Sequence, residues 1–209
     1  MNFIKAITVF ALMSISAYGN AATTESPATI ESSTTWTLDS ASSRVNFISI
    51  KKGNIGESHD FTDLSGIIAG NKASVIIKPD SVESRVPIRN ERMRELLFET
   101  GVYPTIEVSA DVAGQLDDLK SGDSLLSTVA ASVSMHGVTN KLDLELRISK
   151  LNSDVLIVSS TQPVIIRAAD YNMVDGIVKL SALVNNLAIA ESVPVSFTLQ
   201  FKLANDADN

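Results

Sequence analysis

The chain has no cysteine. That excludes a disulfide framework, a thiolate metal centre, a cysteine nucleophile and a lipid anchor attached through cysteine. Histidine is almost as scarce, with His59 and His136 the only two, so a histidine-based metal centre has little to draw on. No metal and no other cofactor is expected. Positive charge is short as well, 17 Lys and Arg against 24 Asp and Glu, for a net charge of -7. An acidic surface repels phosphate backbones and argues against nucleic-acid binding. The common catalytic signatures are missing too: there is no GxSxG elbow, no GxGxxG after a strand, no P-loop and no HExxH.

Long hydrophobic runs are limited to one, from Ala6 to Ile15, preceded by Lys5 and followed by the small residues Ala17, Gly19, Ala21 and Ala22. This order predicts a cleavable signal peptide over residues 1–21. A transmembrane helix needs about twenty apolar residues, so none is expected in the mature chain. Gly19 and Ala21 fit cleavage after Ala21, with cleavage after Gly19 or Ala22 left open. Residues 22–35 (ATTESPATIESSTT) are small and polar and read as a flexible leader. One domain is expected over 36–204, exported to a periplasm.

From Trp36 the pattern is mostly β. In Lys141 to Ile148, Leu142, Leu144, Leu146 and Ile148 alternate with Asp143, Glu145 and Arg147, the mark of a half-buried antiparallel strand. Val193 to Leu203 alternates in the same way. Further strands are expected over 44–50, 61–69, 73–78, 105–113, 125–136, 154–160 and 163–168. The stretch from Gly53 to Asp60 reads as a turn, and Ser58, His59 and Asp60, being sequence neighbours, point to alternate sides and form no relay. Asp117 to Asp123 reads as a solvated turn, since it lacks the alternating acids and closing Glu of a calcium loop. Pro87 to Phe98 predicts a helix with Ile88, Met93, Leu96 and Leu97 on its inner face, and Asp175 to Leu187 a second helix with Asp175 as N-cap. The fold class is all-β, with about eight antiparallel strands and one or two short helices. So many strands in one small domain hide their edges best in a closed or nearly closed barrel.

Two local features bear on function. His136-Gly137 lies between two strands and reads either as a plain connection or as an imidazole at a barrel mouth. Arg85, Arg89, Arg92 and Arg94, interleaved with Glu91 and Glu95, read either as a salt-bridged helix face or as an anion-receiving rim.

Taken in order, several segments resemble the YceI-like family of exported lipid-binding proteins. They are Trp36-Thr37-Leu38-Asp39, Ser42 to Phe47, Phe61 to Gly66, the Arg-rich helix ending in Phe98-Glu99, Tyr103-Pro104-Thr105, and Met135-His136-Gly137-Val138-Thr139. The resemblance implies a lipocalin-like barrel that holds a polyisoprenoid, an isoprenoid quinone or a similar long-chain amphiphile, with no catalysis. Small aliphatic walls, consistent with 5% aromatic residues, suit such a chain. On this reading Phe47, Met135 and Phe197 line the interior, while His136, Arg92 and Arg94 meet the head group. A homodimer is compatible with it. The competing readings are a stress-related structural protein with its cavity packed shut and a lipid-modifying enzyme.

Overall fold

The computed structural model describes residues 34–204 except 113 and 117. The expected signal peptide, residues 22–33 of the expected leader, and Asp117 lie outside the described residues. The sheet is built as eight rows, four of them made of two strands in succession. The first row is β1 (Thr35–Leu38) with β2 (Arg44–Lys51), and the second is β3 (Ile55–Phe61) with β4 (Leu64–Ala69). The third is β5 (Lys72–Ile77) with β6 (Val82–Glu83). Single strands follow: β7 (Ile106–Asp111), β8 (Ser124–Met135) and β9 (Val138–Lys150). The seventh row is β10 (Val155–Ser160) with β11 (Val164–Arg167), and the eighth is β12 (Ser192–Leu203).

Each row pairs antiparallel with the next, and β12 pairs back with β1 and β2. The ring is therefore a closed, up-and-down, eight-stranded barrel, which leaves no long edge exposed. Two breaks within rows fall at prolines. Pro79 opens the turn between β5 and β6, and Pro163 separates β10 from β11. Neither has an N–H to give to a ladder.

The alternation in β9 and β12 is realised as expected. Leu144, Leu146 and Ile148 are buried while Asp143, Glu145 and Arg147 are exposed. At the lower end of the barrel Trp36, Ile68, Val129, Ile148, Leu156 and Phe201 form a closed core. Each such side chain, fully buried, contributes roughly 1.5–3 kcal/mol.

The upper end is covered by two connections. α1 (Pro87–Arg92) leads from β6 toward β7 and passes directly into a π-helical turn at Met93–Leu97. α2 (Val174–Ala182) leads from β11 to β12. The Phe98 N–H donates to the Met93 carbonyl at 2.9 Å, the i→i−5 bond that widens the turn. Met93 faces inward as expected, but Ile88 is 51% exposed. α2 ends earlier than the apolar spacing suggests, because Asn185 and Asn186 take left-handed backbone angles just beyond it and stop a helix. Its N-cap is Met173, without a side-chain cap, and Asp175 lies within the first turn, where its charge complements the helix dipole.

The expected turn over 53–60 is corrected. Only the residues around Lys52 and Gly53 turn, and Ile55–Phe61 is a strand. Glu57 and His59 occupy its inward positions, and their polarity hides the two-residue alternation.

Candidate functional site

Between the packed lower core and the two helices lies a cavity of about 190 Å³. Its wall is apolar apart from Glu191, which is exposed. Val193, Val195, Phe197 and Leu199 of β12 form one continuous inward track. Six residues of strand advance about 20 Å, so the cavity is long and narrow. Val133 and Met135 of β8 and Leu142 and Leu144 of β9 complete much of the wall. Leu97 and Phe98 come from the π-helical turn and its exit, and Met173 and Ile177 from α2 and the residue before it. Dry apolar cavities near 150 Å³ take up small hydrocarbons, so this one has room for a slender apolar segment. Anything longer must displace the helical cap or emerge past it.

One side of the wall is aromatic. The Phe47 ring lies 5.5 Å from Phe61 and 6.4 Å from Phe98, and Phe61 lies 5.6 Å from Phe98. Edge-on and tilted contacts of this kind fix ring orientation beyond simple burial.

Phe47, Met135 and Phe197 are among the residues that line this cavity. His136, Arg92 and Arg94 are not among the lining residues. His136 sits in the tight β8–β9 turn with a left-handed backbone. Its Nε2 is 3.0 Å from Glu99 Oε2, and its ring lies 4.1 Å from that of Tyr103. The other Glu99 oxygen is 3.5 Å from Lys179 Nζ. Glu99 therefore links α2 to the barrel rim through His136.

The arginines in and just before the helical segment pair across elements rather than along the helix. Arg94 Nε donates to the Asp80 carbonyl at 2.6 Å, Arg89 meets Glu57 at 3.2 Å and Arg85 meets Asp60 at 2.6 Å. Arg92 makes no ion pair among the described residues.

Sequence reasoning missed His59. It is 1% exposed and faces inward from β3, directly opposite Phe47 on β2. Its Nε2 is 2.7 Å from the Ser49 hydroxyl, and its Nδ1 has no hydrogen-bond partner among the described residues. Glu57 lies one inward step away and is shared by Lys51 at 2.9 Å and Arg89. The Lys51 hydrogen bond holds the Glu57 carboxyl below its ordinary range. The only sequence-level signal for this cluster was its polarity within a β-rich region.

Burial, followed by the Arg89 charge, holds the His59 imidazole below the ordinary histidine range. The unfolded chain then takes up a proton on this residue at a higher pH than the folded one does. The stability that the neutral ring contributes is complete above about pH 6.5 and is lost as the pH falls through the folded value. Melting curves between about pH 7.5 and pH 5 should show the wild type losing stability faster on acidification than His59→Gln. Parallel curves would contradict this assignment.

No group of three His, Asp or Glu side chains suited to a metal ion occurs among the described residues, and no helix among them is long and apolar enough to cross a membrane.

The same barrel fold is found in known proteins. A polyisoprenoid-binding domain from Saccharophagus degradans, implicated in plant cell wall breakdown, is 35% identical with a TM-score of 0.78; the match covers 81% of this chain and 98% of that one. BcnA of Burkholderia cenocepacia is 17% identical with a TM-score of 0.61, covering 78% of this chain and 98% of its own, a likeness of fold. The curated proteins gave no match. The family model for the YceI-like domain matches residues 36–201, nearly the whole barrel. The chain belongs to the YceI-like domain family.

Proposed function

We propose that this protein binds and carries a long-chain isoprenoid or similar amphiphile, whose tail lies in the upper half of the barrel. The observation that carries the reading is the apolar cavity itself, walled by aliphatic and phenyl groups and closed only by short helical segments. A folded chain ordinarily fills its interior, so an unfilled apolar space beside a well-packed lower core points to an occupant. The Saccharophagus degradans domain, described as polyisoprenoid-binding, shares this barrel at 35% identity. The tail gains roughly 25 cal/mol for each Å² of apolar surface removed from water. Part of that is lost to ordering. Phe47, Met135 and Phe197 act as wall residues. Export to a periplasm through the segment at residues 1–21 belongs to the same reading.

The pairing of Ser49 with His59 at 2.7 Å favours a second reading, an acyl-transfer dyad. A dyad works when a third group orients the base. Here Nδ1 meets none among the described residues, so we place binding first.

Organic extraction of protein purified from its own exporting cell tests the carrier reading. A recovered lipid with an isoprenoid or long alkyl tail, close to one per chain, is the expected result. An extract without lipid, from protein that also fails to load when offered polyprenols, would overturn it.

A further inference from the structure

We propose that the outer face of the helical cap is a membrane-docking surface, by which the protein rests on a lipid bilayer with its cavity end toward the lipid. This role rests on the carrier reading above and names the partner from which the lipid is taken.

Exposed apolar residues gather at one end of the barrel. Eleven large hydrophobic residues are exposed among the described residues, and six of them, Ile55, Ile88, Val102, Val178, Leu183 and Val184, lie at the upper end. Ile55 opens β3 at the tip of the β2–β3 hairpin, Ile88 is on α1, and Val102 follows the π-helical turn. The other three lie on α2 or directly after it. Hydrogen bonds and an ion pair join these elements. The Lys52 N–H donates to the Ala188 carbonyl at 2.9 Å and the Ala190 N–H to the Ile50 carbonyl at 2.8 Å, so the chain leaving α2 runs beside the hairpin tip. Lys179 meets Glu99 at 3.5 Å, and the Val102 N–H donates to the Glu99 carbonyl, which places Val102 close to α2.

The same face lacks charge. The outer side of a surface helix ordinarily carries charged and polar groups. Here Leu180 to Ala190 holds no charged residue, although Ala182 to Asn186 are all exposed. At the border of this face Lys51 and Arg89 pair with Glu57, whereas Lys52 and Arg92 make no ion pair among the described residues. Two cations are thus left for lipid phosphates. The net charge of -7 opposes long-range attraction to an anionic membrane, so the contact is chiefly apolar and survives high salt.

Area and position decide what occupies the patch. Six such aliphatic side chains amount to a few hundred Å², short of the roughly 800 Å² per partner that a stable dimer buries. A bilayer needs no matching surface, and apolar side chains sink about 5–10 Å into its headgroup boundary. Ile177 lines the cavity while Val178 beside it is exposed, so the segment that closes the cavity is the one that meets the lipid. A polyisoprenoid is too apolar to cross water unaided. Against a bilayer the cap can part without showing its apolar side to water.

The absence of native cysteine permits single labels. Val184→Cys in the cap and Leu126→Cys, toward the lower end of β8, each carry an environment-sensitive nitrobenzoxadiazole dye. Vesicles of phosphatidylethanolamine and phosphatidylglycerol are the probe. Their addition should shift the emission at position 184 to the blue and leave that at position 126 unmoved. In flotation, the Val178→Ser, Leu183→Ser, Val184→Ser triple variant should bind vesicles about tenfold less than the wild type or weaker still. The same variant should load a polyprenol from detergent micelles as the wild type does, which shows that it is folded. A silent dye at position 184, equal shifts at both positions, equal flotation of variant and wild type, or binding lost at high salt would each overturn the docking surface and leave the carrier reading intact. A dimer in sedimentation velocity that the triple variant abolishes, without vesicle binding, would assign the face to a second copy instead. A wild type that loads from neither micelles nor vesicles would overturn the carrier reading itself.

Discussion

Replacing Gly176 with alanine should lower the melting temperature by several degrees and speed lipid exchange, although the residue lies inside a helix. By helix propensity alone the change should stabilise, since Gly costs about 0.8–1.0 kcal/mol relative to Ala. Packing reverses the sign. A Cβ at position 176 would stand 2.5 Å from the Leu96 carbonyl oxygen and 2.9 Å from the Leu97 Cα. Both obstacles are backbone, so no rotamer change relieves them, and α2 must lift from the π-helical turn. Overpacking of this kind costs typically about 1–3 kcal/mol, and in a domain of this size each kcal/mol moves the midpoint by about 2–4 °C. The same two segments bring Leu97, Phe98 and Ile177 to the cavity wall, so a looser contact also opens the cap. Thermal unfolding and stopped-flow loading with a fluorescent isoprenoid measure the two effects. An unchanged or raised midpoint would show that the helix–turn contact is not the constraint described here.

Much of the barrel was legible because its physics is local. Period-two alternation in Lys141–Ile148 and Val193–Leu203 announces a strand with one buried face, and both segments are strands with the expected inward residues. Phe47, Met135 and Phe197 were legible for a related reason, since each is a large apolar residue in a β-rich segment. What stayed hidden depends on contacts distant in sequence. β3 escaped because Glu57 and His59 fill inward positions that strand patterns reserve for apolar residues. Their reason for being there, the partners Ser49, Lys51 and Arg89, comes from two other elements. The arginines, too, could be counted in the sequence, but Asp60, Asp80 and Glu57, which hold three of them, could not be assigned to them before the fold was known. The early end of α2 was set by two asparagines in left-handed conformation, against an apolar spacing that runs on to Leu187.

Filling the cavity should abolish binding while sparing the fold. Val108 on β7 and Val195 on β12 lie four rows apart in an eight-row ring, on opposite sides of the barrel, and both line the cavity. Changing both to phenylalanine places two rings where the lipid tail would lie. The midpoint should hold or rise, because removing empty apolar volume recovers about 24 cal/mol for each Å³ filled. Affinity should fall by about a hundredfold or more, some 2.7 kcal/mol or greater, since the tail no longer has space. A protein whose cavity is idle would show the gain in stability and nothing else.

Native mass spectrometry of the wild type and of the Val108→Phe, Val195→Phe double variant, each offered a polyprenol in dilute detergent, tests the central claim most directly. The account predicts that the wild type gains the mass of one lipid per chain and that the double variant, folded to the same charge-state distribution, gains none. A wild type that never gains that mass, or a double variant that gains it equally well, would contradict the assignment of this cavity as the lipid site.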